Sequence, residues 1–399
     1  MRIGIVTTWF ERGAAYVSRQ YRDALERAGH EVFVYARGGE AFAVGDPNWD
    51  GPCIHWAARS ADADRSGISP RDFRRWLRET GVSAVLFNEQ RTLGPVALCD
   101  RAGVKTVAYV DYYTKDTVRD FAIYDGLICN TRRHASVFDW HPQCLYVPWG
   151  TDTGLFQPFG RWPALVESGV VTFFHSAGFA PRRKGTDLLL RAFDRVMTPA
   201  KLVIHSQKNI LSVFPDLRET VNRLRSSGRL TFLEETIPAP GAYHRGDVYV
   251  YPSRLDGIGL TVCEALSCGL PVIVPDEPPM NEFPDGGSGE FVRVARREPR
   301  WDGYYWPMCV ADEDSLAEAM ERLAQDPFRV CSMKRNARNL ALRERSWISN
   351  ATAVSPFFGS LTVGHDEALV RSFSRRRPLM FLRDFGRNLR RRFAGRQGV

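Results

Sequence analysis

Residues 253–274 read SRLDGIGLTVCEALSCGLPVIV, with Asp256 in a glycine loop and Glu264 eight positions further on. Glycine lets backbone N–H groups approach a ligand closely, and a helix N-terminus adds free donors with a partial positive charge. Gly257, Ile258, Gly259 and Leu260 therefore read as the start of an anion or sugar-diphosphate site. Beyond them Thr261, Glu264 and Ser267 recur every third residue, and apolar residues or cysteine fill the positions between. That is a helix buried on most sides with one narrow polar stripe. A carboxylate on such a helix is costly without a partner. Helical side chains lean toward the N-terminus, so Glu264 can reach the loop, where acceptor-only oxygens suit a pair of ribose hydroxyls. The plainer alternative is an ion-paired Glu.

A cationic cluster, Arg182, Arg183 and Lys184, precedes the helical pattern GTDLLLRAF, which Thr186 or Asp187 is expected to cap. Cations beside a helix N-terminus would stabilise a departing diphosphate without a metal, whereas a solvated basic loop would do nothing. In the first half, Asp111 ends the strand-like VAYV, and Glu89 in LFNEQR is placed similarly. Arg12 and Gly13, in TTWFERGAAYVS, stand where a helix start could meet a phosphate or an acceptor group. His134, in RRHASVF, reads as structural.

Strands and helices alternate along the chain. RIGIVTT, HEVFVYA, VSAVLFN, KTVAYV, GLICNT and CLYVPWG read as strands, with helices after the first, near 70–80 and near 92–102. The alternation restarts with VVTFFHSAG, AKLVIHS, LTFLEE, GDVYVYPS and LPVIVP, and a last helical region runs over 313–345. Short Val-rich strands separated by helices predict parallel sheets covered on both faces, and ligands in such sheets sit beyond the strands' C-terminal ends. GLFQPFGRWPALVESG has no clear period, which puts a hinge near 157–168. The expected organisation is an α/β pair of doubly wound domains, 1–160 and 165–345, with 346–370 packing back on the first.

Together these stretches resemble the family 4 retaining glycosyltransferases of the GT-B fold. GDVYVYPSRLDGIGLTVCEALSCGLPVIV is similar to the family signature of an acidic residue, seven others, then Glu, followed by a small pair, Gly and Pro. RRKGTDLLLRAF resembles its phosphate-loop Lys and following helix, and VPWGTDTGLFQP its hinge-proximal segment with Gly150, Asp152, Phe156 and Pro158. The resemblance implies two facing Rossmann-like domains with a cleft between them. The second would bind a nucleotide-sugar donor through Glu264 on the ribose, Lys184 on the diphosphate, and Asp256 with Gly257–Gly259 on the sugar and phosphates. Arg182, Arg183 and Leu260 would complete that site, and Asp111, Lys184 and Asp256 are the expected catalytic residues. The first domain would take a glycan or lipid-linked acceptor, with Arg12 and Gly13 as its phosphate or acceptor loop. Anomeric retention is implied, with the leaving phosphate oxygen helping to deprotonate the acceptor hydroxyl. No cofactor and no metal are expected. Two departures stand out: Asp256 where the family most often has Glu, and Phe179 where it usually has the Arg five residues before the loop Lys. They keep open a non-catalytic binding or scaffold protein; a nucleotide-sugar epimerase of the same fold is the other alternative.

Composition fits a globular enzyme, with 44% hydrophobic and 25% charged residues. No run reaches the roughly 18–20 apolar residues of a membrane-spanning helix, and MRIGIVTTWF is too short in its apolar part for a signal peptide. A cytoplasmic location follows as the expectation. The eight cysteines are scattered without Cys-x-x-Cys pairs or zinc-ligand spacing, which fits reduced apolar fillers. Of the net charge of +8, the basicity lies in 371–399, where ten Arg meet a single Asp. Within that tail Leu382, Phe385, Leu389 and Phe393 recur at helical spacing. An amphipathic basic helix suits an anionic membrane surface, with a disordered tail as alternative; nucleic acid is not an expected partner.

Overall fold

The computed structural model describes residues 1–37, 43–57, 68–159 and 162–375. The chain divides into two compact units, one of 1–147, 301–305 and 351–399, the other of 148–300 and 306–350. The division at Val147 and Pro148 comes some ten residues before the expected hinge. After the short excursion at 301–305, the final return to the first unit begins at Ala351. The expected amphipathic tail at 379–394 lies outside the described residues.

In the first unit β1 (Arg2–Thr7), β2 (Glu31–Ala36), β3 (Ile54–Trp56), β4 (Ala84–Asn88), β5 (Lys105–Tyr109), β6 (Gly126–Cys129) and β7 (Cys144–Tyr146) make a parallel sheet in the order β3-β2-β1-β4-β5-β6-β7. Five of the six β1 residues are buried, as a sheet covered on both faces requires. The helix Gly13–Arg27 buries Ala15, Val17, Ser18, Tyr21 and Leu25. The strand order reverses between β1 and β4, which makes the loops after those strands the natural ligand position. Late in the chain His365 bridges Asp125 at 2.6 Å and Asp100 at 3.3 Å, tying the segment before the helix Glu367–Arg375 to this unit.

The second unit repeats the plan. Strands β8 (Val171–Gly178), β9 (Ala200–Ser206), β10 (Leu230–Leu233), β11 (Val248–Val250), β12 (Val272–Pro275) and β13 (Gly289–Val292) run parallel in the order β10-β9-β8-β11-β12-β13. A short antiparallel pair, β14 (Val294–Glu298) and β15 (Met308–Ala311), follows. Phe173, Leu189, Phe193, Val248 and Ile273 share one buried core with the inner faces of the helices Thr186–Asp194 and Glu313–Gln325. Here the order reverses between β8 and β11, so their outgoing loops, 179–185 and 251–259, meet at the switch point.

One local expectation is corrected. The helix Thr186–Asp194 has Gly185, in a left-handed conformation, at its N-cap, and no side chain caps it. The Thr186 hydroxyl is bonded to His175 at 2.9 Å, and the Asp187 carboxylate holds the Arg254 guanidinium at 2.7 and 2.8 Å. Both side chains are committed to tertiary bonds that the local sequence could not reveal.

Candidate functional site

The two switch-point loops of the second unit are laced together. The Arg254 N–H donates to the Arg183 carbonyl at 2.8 Å, and Ser253 Oγ reaches the same carbonyl at 3.3 Å. Gly185 lies so close that a Cβ there would sit 2.0 Å from the Pro252 carbonyl oxygen, which demands glycine. This closeness brings Lys184 and Asp256, 72 residues apart, into a 2.5 Å ion pair. Their side chains are 14% and 13% exposed, so the pair is shielded from water. The Tyr251 hydroxyl donates to Asp256 and also bonds the Lys184 ammonium. Arg183 adds a second cation 3.5 Å from Asp256 and donates to the Leu255 carbonyl at 2.8 Å.

Burial by itself would raise the Asp256 carboxyl, but Lys184 and Arg183 outweigh it and hold Asp256 well below the usual carboxylate range. Burial pulls the Lys184 ammonium down to about 8, with Asp256 opposing the fall. Both are therefore charged at neutral pH.

Beyond Asp256 the loop turns through Gly259, whose φ of +57° favours glycine, and the helix Leu260–Ser267 begins. Glu264 lies one turn in. Its carboxylate accepts a 2.5 Å hydrogen bond from the buried Tyr243 hydroxyl, and burial pushes its carboxyl up against the opposing effects of that bond and of Lys184. Ser267, the last member of the stripe, donates to the Phe156 carbonyl at 2.6 Å. A shielded Lys184, a more exposed Arg183 and a carboxylate with a free oxygen can thus bind, from one sheet edge, an anion and a neighbouring diol.

In the first unit Arg12 is the N-cap residue of the helix at Gly13, without a side-chain cap, and its guanidinium lies 3.6 Å from the Glu89 carboxylate. Asp111 follows β5. Burial and then the Glu89 charge push its carboxyl up to about 7, with the Tyr112 N–H, Arg91 and Arg37 pulling against them. Arg91 covers the Tyr112 ring at 4.8 Å, and Tyr112 stacks on Tyr304. His134 is fully buried, bonded to the Val110 carbonyl at 3.1 Å, and burial pulls it down to about 4, so it serves the packing of this edge as a neutral ring.

Residues 170–326 match the family described as glycosyl transferases group 1. The lipopolysaccharide core biosynthesis mannosyltransferase LpsB of Rhizobium meliloti is 29% identical over 175 residues, 42% of this chain and 49% of that protein. The GDP-mannose-dependent monoacylated alpha-(1-6)-phosphatidylinositol monomannoside mannosyltransferase of Corynebacterium glutamicum is 26% identical over 54% of this chain and 56% of its own length. The chain thus spans about half the length of these curated relatives. Among solved structures, Anabaena HepE in complex with UDP and glucose superposes with a TM-score of 0.69 at 14% identity, covering 90% of this chain and all of that one. The fold is GT-B.

Within the matched segment the expected residues divide. Lys184, Arg183, Asp256, the Gly257–Leu260 backbone and Glu264 share the switch-point edge. Arg182 is turned aside: it donates to the Val213 carbonyl at 2.5 Å and covers the Phe214 ring, so Arg183 is the arginine beside Asp256. Phe179, in the place of the family arginine, is 67% exposed. Sequence reasoning missed Tyr243 and Tyr251. The alternation in VYVY puts Tyr249 and Tyr251 on one face of the sheet, a signal that could have flagged Tyr251. Nothing local flags Tyr243.

Proposed function

We propose that this protein is a retaining, metal-independent glycosyltransferase that moves a hexosyl group from a nucleotide sugar to a hydroxyl of a glycan or lipid-linked glycan in cell-envelope polysaccharide synthesis. The observation that carries the reading is the buried Lys184–Asp256–Tyr251 cluster with Arg183, one helical turn from a carboxylate that keeps an oxygen free for ligand. As the glycosidic bond breaks, negative charge grows on the departing diphosphate. The Lys184 ammonium, the Arg183 guanidinium and the N–H groups at the start of the Leu260–Ser267 helix are preorganised to meet it, the kind of stabilisation that is usually the largest catalytic term. Asp256 keeps the Lys184 proton in place and orients the ammonium. Glu264, with one oxygen on Tyr243, offers the other to the ribose diol.

Retention follows if the leaving phosphate oxygen takes the acceptor proton on the same face of the sugar. Asp111 in the first unit would contact the acceptor, with Arg12 and Gly13 in the same loop region. The relatives' names favour mannose as the transferred sugar, guanosine as the base and a lipopolysaccharide core or phosphatidylinositol mannoside as acceptor. The 371–399 tail would bring the enzyme to the cytoplasmic membrane surface; flotation of the full chain with anionic liposomes, absent for residues 1–370, is the expected result. The activity itself is tested by release of nucleoside diphosphate from a panel of GDP-, UDP- and ADP-sugars. Release from one donor, lost in Glu264→Ala, supports the reading; no release and no binding with any of them ends it.

A further inference from the structure

Glu89 is the one non-glycine residue with a positive φ, +52°, among the described residues. Side chains with a Cβ rarely adopt that conformation, and it persists only where the surroundings fix it. They do so here. Arg37, at the end of β2 and 4% exposed, donates to the Glu89 carbonyl at 2.7 Å and to the Asn88 carbonyl at 2.9 Å. The Asn88 side chain is itself fixed, donating to Ser18 Oγ at 2.8 Å and to the Ala14 carbonyl at 2.9 Å. The same guanidinium reaches Thr8 Oγ1 at 3.4 Å and Gln90 Oε1 at 3.5 Å, so one buried cation fixes this turn from several sides.

What the turn achieves is the placement of the Glu89 carboxylate. It stands just past β4, beside the strand-order reversal, with its side chain 30% exposed and near the Arg12 guanidinium. Strands β4 and β5 are paired neighbours, so Asp111 lies on the same sheet edge. The electrostatic coupling agrees, since Glu89 is the largest charge acting to raise Asp111. The cations at this edge are already engaged: Arg37 with carbonyls, Arg12 with Glu89, Arg91 with the Tyr112 ring. With these cations already engaged, the two carboxyl groups offer acceptor oxygens that suit hydroxyl donors.

We propose that Glu89, held in place by Arg37, is a second acceptor-binding carboxylate beside Asp111, and that the group bound there is an uncharged, hydroxyl-bearing sugar ring. The role rests on the glycosyltransferase reading, Glu89 touching the acceptor and Arg37 acting through Glu89 as a positioning residue.

The test uses the full chain, with methyl α-mannoside and methyl α-glucoside as neutral probes and mannose 6-phosphate as the anionic one, binding being read by saturation-transfer NMR. At least one neutral glycoside should bind better than the phosphate, and Glu89→Gln should weaken it five-fold or more. Glu89→Gly should weaken it similarly while melting at or above the wild-type temperature, because glycine takes the same turn freely. Arg37→Met should weaken binding in the wild-type background and add little in the Glu89→Gly background, where the turn no longer needs the clamp. Nucleoside diphosphate binding to the second unit should be unchanged in every variant. Its absence from wild type would defeat the glycosyltransferase reading instead. If nucleotide binds but no neutral glycoside does, if the phosphate binds better, if the Glu89 variants bind glycoside normally, or if the Arg37 and Glu89 effects simply add, the proposal is overturned.

Discussion

Replacing Lys184 by methionine keeps the volume of the side chain and removes the ammonium from a buried ion pair. Breaking such a pair from one side costs roughly 3–5 kcal/mol, because the surviving charge is left without compensation. Here the survivor is Asp256, and Arg183 remains 3.5 Å from it, against 2.5 Å for Lys184. Arg183 is 41% exposed and screened, so it recovers only part of the lost attraction. We therefore expect a loss of about 2–3 kcal/mol. For a unit of this size each kcal/mol shifts the melting temperature by roughly 2–4 °C, so Lys184→Met should melt about 5–10 °C below wild type. Lys184→Met/Asp256→Asn removes both charges and leaves a neutral amide near the Tyr251 hydroxyl, so it should regain at least half of that loss. Turnover would not recover: if Lys184 stabilises the departing diphosphate, both variants should lose roughly 10²–10³-fold in kcat. Differential scanning calorimetry and donor turnover on the same preparations decide the matter. A Lys184→Met protein that melts with wild type, or a double variant less stable than either single one, would refute the ion-pair argument.

Gly259→Ala places a Cβ 2.8 Å from Met280 Cε and the Phe283 ring at a φ of +57°, and should cost about 1–2 kcal/mol and weaken nucleotide binding. Gly257→Ala, with open space around it, is the matched control and should be tolerated in thermal melts. Tyr243→Phe removes the hydrogen bond that lowers the Glu264 carboxyl, so that carboxyl rises further and the carboxylate is lost at a higher pH. Nucleotide affinity, followed by calorimetric titration against pH, should then fall away on acidification earlier than in wild type, with a stability loss of about 1–3 kcal/mol. Because the Lys184 ammonium titrates near 8, donor kcat/KM in wild type should decline as pH rises through that value.

The sequence carried the parts of the site that depend on period and local chemistry. Glu264 was legible because a three-residue polar stripe on an otherwise apolar helix requires a reason, and the loop before it supplies one. The alternation of strands and helices was legible for the same cause, since parallel strands covered on both faces must be apolar throughout. Contacts that exist only after folding were not legible. Tyr243 reaches Glu264 from a turn 21 residues upstream, and Arg37 looks like any charged residue at a strand end until its guanidinium is seen on the carbonyls of Asn88 and Glu89. Arg182 and Arg183 are adjacent and chemically identical, and only the approach of the loop from β11 assigns one to Asp256 and leaves the other over Phe214. The cap expected from Thr186 or Asp187 failed likewise, because His175 and Arg254 had already engaged both side chains.

The central claim is that the second unit's charge cluster and Glu264 bind a nucleoside diphosphate without a metal. Isothermal titration of the intact protein with GDP, UDP and ADP in excess EDTA tests it most directly. The account predicts that at least one nucleotide binds, that Lys184→Met and Glu264→Ala each weaken it by ten-fold or more, and that Arg182→Ala leaves it within two-fold of wild type. Binding that requires added divalent metal, or that is unchanged in both Lys184→Met and Glu264→Ala, would contradict it.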